Sequence, residues 1–381
     1  MLYWVWLTQI NGIGPKRQRA LLERFNTPEN VYRAPLEDLL ECDGIGHKTA
    51  NILVKAKSLE KANRILDSVQ KLKIKLLIID DSLYPAEAKS IKEMPILLYY
   101  KGNLIKNSMG VAIVGARRCS EYGKMVTDNA ATYLAKQNIS VISGMAKGID
   151  SYAHTGCIKA GGYTIAFFGN GLDICYPSEH VELMEKIIEN GAIISEYPPG
   201  VKPKPKHFPR RNLLISAWSY KILIVEAGAK SGALITANYG RQYKREVLAV
   251  PDNIYRQESM GSNKLIGDGA SIYLNKEQLL IDNRYESKRE ASYDMPMNDN
   301  VLDNLDETEK RIIEILSSEG EKTLEELSTA IEMDMMKLSE KLSLMELEDK
   351  VIVRGSVVAN TRNGLPPNLS RMRSSTQNRS T

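Results

Sequence analysis

The sequence predicts an α/β protein built on an open parallel sheet, with helical segments before and after it. Three observations carry that prediction. Val111–Val114 is a short apolar run of strand type that ends at Gly115, and Glu121–Gln137 continues it as a helix. Ile139–Ile142 is a second such run, and Ser143-Gly144-Met145-Ala146-Lys147-Gly148 turns from it into a helix at Asp150. Further on, Lys221–Glu226 (KILIVE) and Glu246–Val250 are strongly apolar runs separated by a helical segment from Gly232 to Tyr243. Strand–loop–helix units in succession are the sequence form of a parallel sheet, because parallel strands need a crossover between them.

Composition sets the outer bounds. The 381 residues give room for two or three domains. Hydrophobic residues make up 43% and charged residues 26%, as in ordinary globular proteins. A net charge of +4 means that any nucleic-acid surface must be a local patch, and KPKPKHFPRR (Lys202–Arg211) and the tail from Arg362 are the basic segments. Cys42, Cys119, Cys157 and Cys175 lie far apart without a CxxC pair, which argues against zinc and against a disulfide framework. A reduced, cytoplasmic setting is expected. No apolar run is long enough to span a membrane, and the first residues lack the pattern of a signal peptide.

Residues 1–68 read as a helical domain with two similar turns, Gly12-Ile13-Gly14-Pro15-Lys16 and Gly44-Ile45-Gly46-His47-Lys48, each opening a helix. They resemble a tandem pair of helix-hairpin-helix (SAM-like) motifs. In that motif glycines let the backbone approach a DNA phosphate, so Gly12, Gly14, Lys16, Gly44, Gly46 and Lys48 are candidate secondary DNA contacts. A module that only packs or binds protein would show the same pattern.

Residues 69–281 are the main α/β domain. Ile74–Ile79 and Ile96–Tyr100 should form its leading edge, Tyr163–Phe168 and Ala192–Ser195 two further strands, and Ser271 a last edge strand. Glu196–Pro209, with five prolines, is expected as a surface loop, followed by a helix from Arg210 to Ser219. Residues 282–306 read as a polar linker. Residues 307–360, three helices and two short strands around Gly355-Ser356, look like a winged helix, with Thr323 and Glu326 as a capping box. Residues 361–381 are expected to be a disordered basic tail.

Both central loops should leave N–H groups at a helix N-terminus, and both carry cations, so Gly115, Arg117, Arg118, Ser143, Gly144, Lys147 and Gly148 are candidate phosphate ligands. Glycines also close tight βα turns for purely structural reasons. Two adjacent loops with cations favour the phosphate. Lys230-Ser231-Gly232 is a third loop of this kind, and all three belong at the carboxyl edge of one sheet, where α/β ligands bind. Lys206, Phe208, Arg211 and Asn212 place an aromatic among cations, which suits a base and its phosphates on a single strand, and equally a loop with Phe208 tucked inward.

Catalysis has little support. Asp150 and His154, four apart on one helical face, have the spacing of an acid–base pair or two metal ligands, and equally of a pair that orients the helix. Glu226 could act as acid or base, or fix a loop by accepting N–H bonds. GxSxG, HExxH and Walker patterns are absent, and no metal or cofactor is expected.

The motifs VAIVGARRCSEYG, SGMAKGIDSYAH, GGYTIAFFGNGLDICYP, SEYPPG, HFPRRN, VEAGAKSGALITA, AVP and GSNKLIGDGA, in this order over residues 75–275, resemble the DNA-processing protein A (DprA/Smf) family. The resemblance implies an extended Rossmann-like, doubly wound sheet that binds single-stranded DNA without known catalysis. It also implies a homodimer that protects the strand and loads a RecA-type recombinase onto it, as in natural transformation. Arg117, the Phe208/Arg211/Asn212 segment and the Lys230-Ser231 turn fall on the family's motifs. Family members usually read RNRII where this chain has Arg211-Asn212-Leu213-Leu214-Ile215, and glycine where it has Lys244 and Asp252. The alternative reading is a nucleotide-binding enzyme of the phosphoribohydrolase type, or a nucleotide sensor, using the same crevice with Glu226 as acid or base.

Overall fold

Nine strands build one sheet in residues 1–293, the first of two compact units, the second being residues 294–381. The computed structural model describes residues 1–281, 306–331, 333–347, 351–354 and 357–360. The strands are β1 (Lys75–Ile78), β2 (Leu97–Gly102), β3 (Gly110–Val114), β4 (Val141–Ser143), β5 (Thr164–Phe168), β6 (Gly191–Ser195), β7 (Ser219–Ile224), β8 (Glu246–Ala249) and β9 (Ser271–Ile272). Their spatial order is β1-β2-β6-β5-β4-β3-β7-β8-β9. From β6 to β9 every pairing is parallel, while β1 and β2 add to the β6 edge antiparallel.

The sheet is doubly wound. From β3 the chain moves outward to β4, β5 and β6, then returns to place β7 on the other side of β3. That reversal opens a crevice beyond the carboxyl ends of β3 and β7. β3, β5 and β6 are buried along their whole length, as strands covered on both faces must be. Successive residues of β3 serve opposite faces. Val111 and Ile113 pack with Ala130, Leu134 and Ala153 from the helices Glu121–Lys136 and Ile149–Lys159. Ala112 and Val114 join the core that holds Leu214, Trp218 and Ala237, from the region of the helices His207–Ala217 and Ala233–Gln242.

The helix expected from Arg210 begins three residues earlier, at His207, with Pro209 inside its first turn. Proline is tolerated there because first-turn N–H groups have no partner within the helix. The shift matters, because it moves Phe208 from a loop onto a rigid element.

The amino-terminal helices share this first unit. Val5, Leu7, Leu21, Leu39 and Leu53 belong to the same buried cluster as Leu97 and Phe167 of the sheet. Gly12 and Gly44 both sit in the left-handed region, at φ 87° and 72°, which explains a glycine in each hairpin. Pro15 starts the helix Pro15–Phe25, where its missing N–H costs nothing.

The second unit holds the helices Glu307–Glu319, Leu324–Ile331 and Met335–Leu347, with a small antiparallel sheet of β10 (Lys322–Thr323), β11 (Val351–Arg354) and β12 (Val357–Asn360). Ile312, Leu316, Leu327, Leu338, Leu342 and Val358 close its core. The capping box is present: Thr323 N–H donates to Glu326 Oε2 at 2.8 Å, and Glu326 N–H donates to Thr323 Oγ1 at 3.2 Å. The expected linker through residue 305, the Gly355-Ser356 tip and the tail from 361 lie outside the described residues. Among the described residues no helix is long and apolar enough to cross a membrane.

Trp218 joins the parts of the first unit's core. It is fully buried, meets Phe167 edge-on at 5.6 Å and Tyr84 at 5.3 Å, and donates its indole N–H to Ser108 Oγ at 3.1 Å. Trp218→Ala should therefore lower stability by about 3–5 kcal/mol, read as a lower urea midpoint at unchanged denaturant slope.

Candidate nucleic-acid interface

The crevice at the reversal point has a volume of about 800 Å³. Three loops and one helix line it. The loop after β3 contributes Gly115, Ala116 and Arg117, and the loop after β4 contributes Ala146 and leads into Asp150. The segment after β7 contributes Gly228, Lys230, Ser231 and Gly232, and the helix His207–Ala217 contributes Phe208, Arg211 and Asn212.

At its floor lies the guanidinium of Arg211, 6% exposed. Its Nη1 donates to the Phe167 carbonyl at 3.0 Å and its Nε to Asn212 Oδ1 at 3.1 Å. Nη2 stands 3.9 Å from Asp150 Oδ2, an ion pair beyond hydrogen-bond reach that leaves this edge able to take another acceptor. Burial pushes the Asp150 carboxyl up, opposed chiefly by Arg211 and by the Ala146 N–H that Oδ2 accepts at 3.3 Å. Burial also pushes the Arg211 guanidinium down, opposed by Asp150, but a guanidinium stays charged in a protein. Gly144 makes this arrangement possible, because a Cβ there would stand 1.8 Å from Arg211 Nη1.

The first two loops support one another. Gly148, at φ 79°, passes so close to Ala116 that a Cβ would stand 2.3 Å from its carbonyl, and Ile149 N–H donates to the same oxygen at 3.2 Å. Asn212 ties in the third loop by donating to the Gly232 carbonyl at 3.0 Å. Above the floor, the Phe208 ring has two guanidiniums near it, Arg117 at 5.9 Å and Arg211 at 6.0 Å, with Tyr176 tilted against it at 5.7 Å. Cations within about 6 Å of a ring are attracted to its face.

The predicted residues divide accordingly. Gly115, Arg117, Phe208, Arg211, Asn212, Lys230, Ser231 and Gly232 meet around the crevice. Lys147 instead lines a smaller adjoining cavity and pairs with Glu179. Arg118 and Lys206 are exposed but do not line the crevice, and the Ser143 hydroxyl is spent on the Ile113 carbonyl at 2.6 Å. Gly144 and Gly148 shape the site without lining it. Sequence reasoning missed Tyr176, Pro205 and Gln257 as lining residues. None lies in a glycine loop, and only Tyr176, inside the GLDICYP motif, carried any signal. In the amino-terminal helices Gly12, Gly14, Lys16, Gly44, Gly46 and Lys48 all face solvent, and Lys16 pairs with Glu93 at 2.7 Å.

The groups considered for catalysis have other work. Glu226 is fully buried and does not line the crevice. It accepts from Ser120 N–H at 2.9 Å and from the Ser120 hydroxyl, fixing the start of the helix Glu121–Lys136. His154 is fully buried, with Nε2 2.7 Å from the Gly144 carbonyl and Nδ1 2.7 Å from Thr164 Oγ1. A carbonyl only accepts, so the ring proton is on Nε2. Among the described residues no three His, Cys, Asp or Glu side chains gather as a metal-ligand set.

The family described as DNA recombination-mediator protein A matches residues 75–284, more than half of the chain and the whole of the site. The chain belongs to this family. Protein Smf of Synechocystis is 37% identical over 283 residues, covering 73% of this chain and 71% of that protein. DNA processing protein DprA of Streptococcus pneumoniae is 37% identical over 206 residues, 54% of this chain and 72% of that one. The X-ray structure of the pneumococcal protein superposes with a TM-score of 0.66 at 29% identity, over 74% of this chain and 98% of that one. Residues 7–56 match a second family, the SAM-like helix-hairpin-helix tandem. Lys244, where the resemblance implies a glycine, sits at φ 57°, a conformation that favours glycine. Leu213 is buried in the core, and Asp252 accepts from the Ser259 hydroxyl at 2.5 Å.

Burial pushes the His154 pKa down to about 4 from an ordinary 6.5. Between these values the unfolded chain binds the extra proton, so His154 contributes its full stability above about pH 6.5 and loses it as pH falls toward about 4. The loss should reach up to about 3 kcal/mol. Urea unfolding at pH 7 and pH 5 should show a smaller pH difference for His154→Gln than for the wild type.

Proposed function

We propose that this chain binds single-stranded DNA in the crevice, protects it, and loads a RecA-type recombinase onto it in the cytoplasm, acting as a homodimer in transformation and recombination. The observation that carries the reading is the crevice itself, where three backbone loops at one sheet edge meet Arg117, Arg211 and Lys230 around an aromatic ring. Phosphates gain from N–H groups and cations together, while a flat aromatic ring beside them serves a base, and every base has such a face. Membership of a family described as a DNA recombination mediator supports it. Glu226, the acid or base named for the rival enzyme, does not line the crevice.

In this reading residues 69–281 are the strand-binding domain. Residues 1–68 offer a secondary DNA contact through the outward hairpin of Gly44, Gly46 and Lys48, with Gly12, Gly14 and Lys16 as the weaker hairpin because of the Lys16–Glu93 pair. Residues 307–360 act as a winged-helix-like module that meets protein. Residues 306–360 carry fourteen acidic side chains against seven basic ones, a poor match to a polyanion.

Arg117→Ala should weaken oligothymidine binding by roughly tenfold, as expected for a lost charged contact, without changing the melting temperature. Fluorescence anisotropy across a salt series should give a log–log slope near −0.7 per phosphate contacted, with excess AMP without effect. A slope near zero, or displacement by AMP, would move the chain to the nucleotide-binding class.

A further inference from the structure

The two amino-terminal hairpins share one pattern, Gly12-Ile13-Gly14-Pro15-Lys16 and Gly44-Ile45-Gly46-His47-Lys48, but their lysines stand in different company. Lys48 is exposed, and among the described residues no carboxylate pairs with it. Lys16 is engaged at 2.7 Å by Glu93, which comes from the segment before β2. The pair lies in a groove of about 400 Å³ lined by Gly14, Pro15, Lys16, Arg17, Glu93 and Arg210. This groove is separate from the crevice, with which it shares no lining residue. Three cations and one carboxylate thus meet at one hairpin and not at the other.

Glu93 is held in place from both sides. Arg19, from the helix Pro15–Phe25, donates to the carbonyls of Lys89 at 2.7 Å and Met94 at 3.1 Å, and Arg210 donates to the Glu93 carbonyl. The backbone is pinned, and the carboxylate stands in front of Lys16. Burial works against its ionised form, but the hydrogen bond from Lys16 outweighs this and holds the carboxyl below the ordinary range, so Glu93 is an anion at neutral pH. The Lys16 side chain is 67% exposed, so water screens the pair and exchanging its anion costs little.

We propose that Glu93 is an autoinhibitory stand-in for a DNA phosphate at the first hairpin, so that the second hairpin alone carries the contact of these helices with DNA. A carboxylate offers an ammonium the same kind of charged acceptor as a phosphate does. A phosphate arriving at Lys16 displaces a weak ion pair, yet the pinned backbone keeps the displaced carboxylate close by, and like charges at short range repel. Without that charge the groove offers Lys16 and Arg17, whose guanidinium donates only to the neutral Gly12 carbonyl at 2.9 Å, whereas Arg210 remains paired with Glu196 at 2.7 Å. The inference rests on the reading of residues 1–68 as a secondary DNA contact and accounts for the difference between its two hairpins.

The test follows binding of a short blunt duplex to the full chain by anisotropy across a salt series. Any contribution of the crevice is common to all variants and cancels between them. Glu93→Gln removes the charge at constant size, and should tighten duplex binding roughly fivefold and steepen the log–log salt slope by about 0.9, one phosphate more. Adding Lys16→Ala to it should return both values to those of the wild type, whereas Lys16→Ala alone should change little. Glu37→Gln, at an exposed carboxylate of the helix Leu36–Leu40, controls for net charge and should leave the slope as it is. A Glu93→Gln effect no larger than that of Glu37→Gln overturns the proposal. So does Lys16→Ala if it weakens the wild type as much as it weakens Glu93→Gln. Melting temperatures check folding, and if Glu93→Gln fails to fold, the Lys16→Ala comparison with Lys48→Ala decides: a loss at Lys48 alone supports the proposal, and equal losses overturn it. Lys48→Ala also separates the inference from the reading beneath it. If it weakens duplex binding while Glu93→Gln has no effect, the helices contact DNA and only the autoinhibition fails. If neither variant moves duplex binding, both fall together.

Discussion

The site depends on one buried cation. Arg211 enters from the helix His207–Ala217, reaches the end of β5 at the Phe167 carbonyl, and faces Asp150 on the helix that follows β4. A guanidinium placed there without partners would cost several kcal/mol, so its surroundings have to be in place together. Gly144 must lack a side chain, Asp150 must sit in the first turn of its helix, and Phe208 must begin a helix rather than end a loop. The pair with Asp150 is long and one edge of the guanidinium remains available.

Charge is distributed by depth. Arg117 and Lys230 are exposed where they line the crevice, so water screens their charges. Arg211 lies further in, buried beside the Asp150 carboxylate. In the proposed reading, cations at the rim attract phosphates along any sequence. The same logic separates the two units. The crevice belongs to the first, and the second carries an excess of acidic groups.

Much of this was legible in the sequence because it follows from periodicity and from glycine. The strands of the parallel sheet, the loops after β3 and β4, and the Thr323–Glu326 capping box all lie where apolar runs and turn residues indicate. Side-chain direction was not legible. Ser143 and Gly144 are neighbours in one loop, yet the hydroxyl of one turns into the sheet while the other makes room for Arg211. Arg117 and Arg118 are adjacent in one bend, yet only Arg117 lines the crevice. Pro209 read as loop because proline usually ends a helix, but position three of a helix has no N–H bond to lose.

The Asp150–His154 pair shows why spacing alone does not establish chemistry. The two do share one helical face, as their separation requires. Asp150 reaches the crevice, while His154, one turn deeper, is sealed and holds both ring nitrogens in place between Gly144 and Thr164. A base must exchange its proton with something that arrives, and this ring has no route to an arrival. Its effect is instead to hold the Gly144 carbonyl, and so to fix the one backbone position that must stay clear for Arg211. What looks on the sequence like a catalytic dyad is therefore one ligand-facing carboxylate and one support for its partner cation.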